Sequence, residues 1–278
     1  MKELVVKEVA LKDKSCHRIG LLVFVAIFLC GLSSCQFSRE QRMKESYSVL
    51  VLLAHPDDET WVSGTLAKLA DRGLEVIPVY ATSGGKGSDR LDLGLSGTKL
   101  AKMRELEAIK ACQVLGVSPP IFLRFADGKL THLQSQLSNK FKVIVERVNP
   151  AWVISFMQGG ITGNRDHRIV SKLITRDHST RAVYFGLSDT RARSLSHAAQ
   201  KFDFNYSVTA PVDDNEVTHR VDVSQYTHLR IQAMSQHISQ FPPVMINAFT
   251  DFVSASSFEE LVVSDDVENP KALEKYLD

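Results

Sequence analysis

Four residues within five positions of the stretch "HPDDE" carry groups that could do chemistry: His55, Asp57, Asp58 and Glu59. Imidazole and carboxylate are donors that suit zinc and other divalent ions. His55 and Asp58 stand three apart, with Pro56 restricting the backbone between them, so both side chains can turn toward one point. A divalent cation at that point offsets the repulsion among the carboxylates. Asp57, between the two ligands, then serves as a general base on an attacking water, which makes hydrolysis the chemistry the cluster suits. The competing account is a loop whose acids cap the next helix, with Asp58, Glu59 or Thr60 near the positive end of its dipole. Glu59 is assigned to that capping role.

A three-ligand site needs another donor. The stretch "GGITGNRDHRIV" (159–170) is a Gly-rich loop that enters a helix at Asp166–His167. His167 is the third candidate ligand, weighed against a surface histidine that only caps its helix.

The elements that must bring these loops together are legible as an alternation. Strands are expected at 47–54, 74–82, 120–125, 151–156 and 182–187, and helices at 60–73, 98–116, 130–149 and 166–178. The first strand, "YSVLVLLA", is apolar almost throughout, as a strand covered on both faces should be. Pro78 inside the second predicts a bulge or an edge. Strands alternating with helices imply an α/β fold with a mostly parallel sheet and helices on both faces. In a doubly wound sheet of order 3-2-1-4-5, strands one and four are neighbours at the crevice where the chain reverses direction. Ligands bind there at the carboxyl ends of the strands, so the loops carrying His55 and His167 converge. The body is divided as a core over 47–190, strands and a helix over 191–262 that complete the same domain, and a polar tail over 263–278. Within the second part, strands are expected at 202–211 and 219–224 and a helix at 225–241.

The first 46 residues differ in kind. Lys12, Lys14 and Arg18 precede an apolar run of 14 residues, Ile19 to Leu32, followed by "SSC". That run is short for a membrane span of about 20 residues and suits the core of a signal peptide. The segment resembles a bacterial lipoprotein signal, with 1–34 removed, Cys35 lipidated and 35–46 a polar tether; an uncleaved signal anchor is the alternative. Gln36 is not the aspartate associated with inner-membrane retention. The expected address is therefore the bacterial cell envelope, lipid-anchored to the outer membrane. Loss of 1–34 and lipidation of Cys35 leave Cys112 as the one free cysteine of the body, so no internal disulfide forms. The formal net charge of the 278-residue chain is +1, which gives no global field toward nucleic acid.

Taken together, "AHPDDE", "R..E...A...LGV", "F.DG.L", "GITG..DH" and "H.SQ" resemble the LmbE-like/PIG-L family of zinc-dependent N-acetylglucosaminyl deacetylases, over roughly 48 to 241. The resemblance implies a Rossmann-like fold with a small C-terminal β/α extension. It implies Zn2+, or another divalent transition metal, held by His55, Asp58 and His167, with Asp57 as the general base. The same resemblance puts Arg104 near sugar hydroxyls, Asp127 next to substrate, and His237 as a late histidine that completes the site in some members, sometimes from a neighbouring subunit. A homo-oligomer is therefore allowed. Each has a plainer account: an ion pair between Arg104 and Glu107 on one helix, an Asp-Gly turn at Asp127, and a structural hydrogen bond at His237.

One departure stands out. The family usually has a histidine three residues before its last zinc ligand, where this chain has Asn164. Asparagine can donate a hydrogen bond to an oxyanion but cannot supply a proton. The leading expectation is a zinc-dependent deacetylase acting on the acetamide of an N-acetylated amino sugar at the envelope. The alternative is a non-catalytic metal- or glycan-binding lipoprotein that keeps the fold. A third reading, with "SGGKGSD" as a phosphate loop, fails because the stretch follows the second strand and matches neither nucleotide fingerprint.

Overall fold

Every side chain from Val49 to Leu53 has zero exposure, and the strand they form, β1 (Ser48–Leu53), shows why. It pairs in parallel with β2 (Glu75–Thr82) from Ser48/Glu75 to Leu53/Tyr80, and on its other edge with β4 (Trp152–Phe156). A strand with both edges paired and both faces covered has no wet side, so its sequence does not alternate. The computed structural model describes residues 47–176, 181–263 and 271–278. The expected leader, Cys35 and tether lie outside those residues, as do residues 177 and 178 of one expected helix.

The strands form a seven-stranded sheet of order β3-β2-β1-β4-β5-β7-β6, where β3 is Ile121–Phe125, β5 Ala182–Gly186, β6 His219–Asp222 and β7 Phe258–Val263. The first five strands are parallel in the expected order 3-2-1-4-5. The α/β class is therefore as read, with β1 and β4 flanking the switch point. Beyond β5 the sheet turns antiparallel, β7 pairing with both β5 and β6. Pro78 lies in an internal strand, opposite Val51. The irregularity it suggested falls on the other edge, where the β2–β3 ladder begins at Val79 and slips between Tyr80 and Thr82.

The described helices of seven residues or more are α1 (Ser63–Asp71), α2 (Gly97–Leu115), α3 (Gln134–Val148), α4 (Arg165–Arg176), α5 (Asp189–Gln200), α6 (Thr227–Met234), α7 (Pro243–Ala255) and α8 (Lys271–Leu277). Helices α5 and α7 pack on each other, and α6 packs on both α1 and α2.

Three expectations for the C-terminal part change. Residues 202 and 203 belong to the turn after α5 and residues 204–211 form no strand; their only ladder contact is one bridge between Ala210 and Ile161. Their alternation is real, because Phe204 and Tyr206 stack with ring centroids 5.9 Å apart and point inward together. What they lack is a neighbouring strand. The helix expected over 225–241 stops at Met234, and the Ser239 N–H donates to the Glu107 carboxylate instead of a helical carbonyl. Of the polar tail expected over 263–278, residues 264–270 lie outside the described residues, and Lys271–Leu277 is helical with Leu273 and Leu277 buried. Lys68 Nζ ties this helix down by donating to the Leu277 carbonyl at 2.5 Å.

One carboxylate couples the C-terminal part to the core. Glu259, in β7 and 2% exposed, accepts from the Gly64 and Thr65 backbone N–H groups at 2.9 and 2.7 Å. These are free donors in the first turn of α1, where negative charge is favoured. The guanidinium of Arg230, 1% exposed, lies 3.0 Å away. Glu259→Gln removes the charge facing a buried guanidinium, so the unfolding free energy is expected to fall by about 3–5 kcal/mol in a urea titration. An unchanged midpoint contradicts the coupling.

Candidate active site

The end of β1 and the loop after β4 place three acceptors against one another. His55 Nδ1 lies 3.2 Å from His167 Nε2, and His167 Nε2 lies 3.1 Å from Asp58 Oδ1. His55 Nδ1 lies 3.6 Å from Asp58 Oδ2. All three residues are buried.

Each ring is oriented by its outer nitrogen. His167 Nδ1 donates to the Gly160 carbonyl at 2.9 Å, and Phe156 at the end of β4 stacks on the ring at 4.3 Å. Gly160 itself has φ +67°, and a Cβ there would fall 2.6 Å from His167 Cβ, so only glycine lets this carbonyl approach. His55 Nε2 faces Asp127 Oδ1 at 3.2 Å and Asp166 Oδ2 at 3.7 Å. With both outer nitrogens carrying the proton, the inner nitrogens present lone pairs, the second-shell pattern of metal-ligating histidines.

Asp58 is fixed just as firmly. Its Oδ2 accepts from the backbone N–H groups of Ala54 and His55 at 3.0 and 2.7 Å, leaving Oδ1 for the centre. Burial alone would raise its pKa, but the charges and hydrogen bonds of His167 and His55 hold the carboxyl well below the usual range. At His55, burial works against protonation, and Asp127, Asp166 and Asp58 outweigh it and raise the pKa. The centre therefore demands positive charge. Two ligands about 2.0–2.1 Å from a tetrahedral ion lie roughly 3.3 Å apart, and the separations of 3.1 Å from Asp58 Oδ1 to His167 Nε2 and 3.2 Å from His167 Nε2 to His55 Nδ1 come close to that value. The donor set fits a divalent metal.

Asp57 sits beside this centre at φ +95°, a conformation uncommon for residues other than glycine. Its carbonyl accepts from the Thr60 N–H and hydroxyl. Its N–H donates to Glu59 Oε2 at 3.1 Å, and its Oδ2 accepts from Arg104 Nη2 at 2.9 Å. Burial pushes its carboxyl up to about 6 although Arg104 pulls the other way.

Arg104 is buried and also donates to the Pro56 and Gly84 carbonyls. A Cβ on Gly84 would come within 2.2 Å of its Nη1. The plainer account of Arg104 and Glu107 as an ion pair on one helix does not hold. Arg104 turns to Asp57, and Glu107 accepts from the Ser239 N–H and hydroxyl. The "SGGKGSD" loop is likewise occupied with the site, since the Lys86 N–H donates to Asp127 Oδ2 at 2.7 Å.

A cavity of about 750 Å³ gathers His55, Asp57, Asp58, Arg104, Asp127, Asn164 and His167 on its lining. His237, expected as a catalytic residue, does not line it. The side chain is fully buried, and Nε2 donates to the carboxylate of Glu59. Glu59 in turn accepts from the Tyr80 hydroxyl at 2.8 Å. Glu59 is thus no helix cap: it anchors the backbone of Asp57 from beneath, and His237 and Tyr80 anchor it. Asn164 Oδ1 caps α4, accepting from the Asp166 N–H at 2.8 Å, which leaves its amide N–H groups for the cavity. Sequence reasoning missed Asp166, which is buried and fixes the loop after β3 through the Gly128 and Leu130 N–H groups. Its place beside His167 at the start of α4 was the only signal.

A family model described as PIG-L, GlcNAc-PI de-N-acetylase, matches residues 50–178. The chain is similar to diacetylchitobiose deacetylase of Thermococcus kodakarensis, 27% identical over 222 residues that cover 79% of each chain. It is also similar to a 1D-myo-inositol 2-acetamido-2-deoxy-alpha-D-glucopyranoside deacetylase of Saccharomonospora viridis, 26% identical over 69% of this chain and 84% of that one. Among solved structures, N,N'-diacetylchitobiose deacetylase from Pyrococcus horikoshii superposes with a TM-score of 0.60 at 21% identity, covering 85% of this chain and 93% of that one. GalB, a 4-carboxy-2-hydroxymuconate hydratase from Pseudomonas putida, shares the fold at a TM-score of 0.55 and 17% identity, over 80% of this chain and 100% of that one. The family model and the curated relatives support the PIG-L/LmbE-like deacetylase family, and the solved structures show the fold. The hydratase shows that the fold by itself does not fix the reaction.

His237→Leu removes the donor to a fully buried carboxylate. It is expected to cost about 1–3 kcal/mol of stability in urea unfolding while divalent-metal stoichiometry stays at the wild-type value. Loss of the metal from the folded variant would instead put His237 among the ligands.

Proposed function

We propose that this chain is a zinc-dependent hydrolase that removes acetyl from the acetamide of an N-acetylated amino sugar. The observation that carries the reading is the convergence of His55, Asp58 and His167, whose ligand atoms all lie within 4.8 Å of one another, with a further, half-buried carboxylate, Asp57, alongside. The sugar class comes from the relatives, whose names specify acetylated glucosamine compounds.

His55, Asp58 and His167 would hold the ion, with Asp127 and Gly160 orienting the two rings. A zinc ion there supplies Lewis acidity, drawing electron density from the amide carbonyl and making water easier to deprotonate. Asp57 takes the proton of the attacking water. A carboxyl raised toward neutrality is suited both to accept that proton and to return it to the leaving amine, which removes the need for the histidine that Asn164 replaces. Arg104 is a positioning residue in this account, holding Asp57 in its unusual backbone conformation. Asn164 directs an amide N–H toward the developing oxyanion, which needs a donor and not a proton. Asp127 and the rim of the cavity meet the sugar hydroxyls.

The lipoprotein-like leader ending at Cys35 supports a place at the cell envelope, lipid-anchored, with a glycan or glycoconjugate as the natural substrate class. No described helix is long and apolar enough to cross a membrane.

Acetate release from N-acetylglucosamine glycans by the zinc-loaded protein tests this reading. Activity is expected to vanish with chelator, to return with zinc, and to fall by about 10²–10⁴-fold in Asp57→Asn. A zinc-loaded, folded protein that releases no acetate from any of them would remove it.

A further inference from the structure

The cavity has two unlike walls. Its polar groups around the candidate ligands include Lys86, Arg104, Asp127, Thr162, Asn164 and Arg165, from α2, the loops after β2, β3 and β4 and the start of α4. Everything that the chain beyond residue 190 adds to the lining is apolar apart from the hydroxyl of Tyr206. The main pieces are Leu195 of α5, Phe204, Met234 of α6, Phe241, and Met245 and Phe249 of α7. Leu195, Met234 and Phe249 are buried, and the others half-buried. Three phenylalanines, two methionines and a leucine make a wall suited to hydrocarbon, and the flexible thioethers adapt to chains of different shape. The volume of about 750 Å³ stands in the upper part of the range of roughly 300–1,000 Å³ that holds drug-sized ligands. An acetyl group has one methyl to bury and leaves such a wall unused.

The chemistry of the amide decides what fills it. The carbonyl carbon joins the sugar nitrogen on one side and the acyl group on the other, and a planar trans amide sends the two in opposite directions. A sugar held by the polar groups therefore directs its acyl chain away from them, toward the apolar wall.

We propose that the site also cleaves amides whose acyl chain is longer than acetyl, so that its substrates extend to medium-chain N-acyl amino sugars with the chain lodged between α5, α6 and α7. This rests on the reading of the site as an amino-sugar amide hydrolase. The reaction keeps the same balance. Water adds across the C–N bond, hydroxyl going to the acyl carbon and hydrogen to the nitrogen, and the products are a fatty acid and the free amine.

Two measurements on one substrate series test it. N-acetyl-, N-butyryl-, N-hexanoyl- and N-octanoyl-glucosamine are compared for kcat/KM with the zinc-loaded wild type, and for Kd by calorimetry on Asp57→Asn, which needs no turnover. Octyl N-acetylglucosaminide provides a chain of equal length on the other side of the sugar. Each methylene that enters the compartment is worth up to about fourfold. Both kcat/KM and affinity are therefore expected to rise several-fold with every added pair of methylenes, and Met245→Asp to lower the octanoyl-to-acetyl ratio. Affinity that is flat or falls with acyl length overturns the inference, whatever the activity on acetyl. A gain for the octyl glycoside without one for the N-octanoyl sugar also overturns it, by moving the chain to the glycosidic oxygen. If no member is hydrolysed while Kd still falls with acyl length, the compartment stands and the hydrolase reading is what fails.

Discussion

The arrangement depends on a single electrostatic constraint, the close approach of three lone-pair donors at the carboxyl ends of β1 and β4. Two imidazole nitrogens 3.2 Å apart, with a carboxylate oxygen 3.1 Å from one of them, are held in place only if a positive charge is shared among them. The surroundings enforce the geometry. Asp58 is clamped by two backbone N–H groups, and His167 is stacked on Phe156 and bonded to Gly160. His55 is backed by Asp127. Those supports come from three separate loops, and they meet because β1 and β4 are neighbours at the switch point of the sheet.

A second tier sits beneath that centre and fixes Asp57. Its backbone is tied to Glu59 and its carboxylate to Arg104, and Glu59 is anchored in turn by Tyr80 and His237. His237 belongs to a segment more than 170 positions away in sequence, which Glu107 pins through Ser239. The C-terminal part of the chain is thus built into the site from below. Through α5, α6 and α7 it also supplies the apolar wall of the cavity, and through Glu259 it holds the start of α1.

How much of this was legible followed from how local the signal was. β1 could be read because a doubly covered strand is apolar without interruption. His55, Asp58 and His167 could be paired because the order 3-2-1-4-5 brings their loops together. The role of Glu59 could not be read, since a glutamate entering a helix has the same local signature whether it caps that helix or bonds to a histidine far along the chain. Arg104 and Glu107 had the spacing of a helical ion pair, and the structure gives each a partner from another element. Residues 202–211 alternate like a strand because Phe204 and Tyr206 face the cavity, and nothing local says that no strand lies alongside. The helix Lys271–Leu277 was hidden by its charges, although Leu273 and Leu277 are buried and Tyr276 packs against Tyr47 and Trp152.

The claim on which the account turns is that His55, Asp58 and His167 hold a divalent ion between them. X-ray absorption at the zinc edge, on the loaded protein and on His167→Ala, tests it most directly. The account predicts one tightly bound zinc with two imidazole nitrogens and oxygen donors at about 2.0–2.1 Å, one imidazole of which disappears in the variant. A zinc bound with a single imidazole, or an unchanged spectrum in His167→Ala, would contradict it.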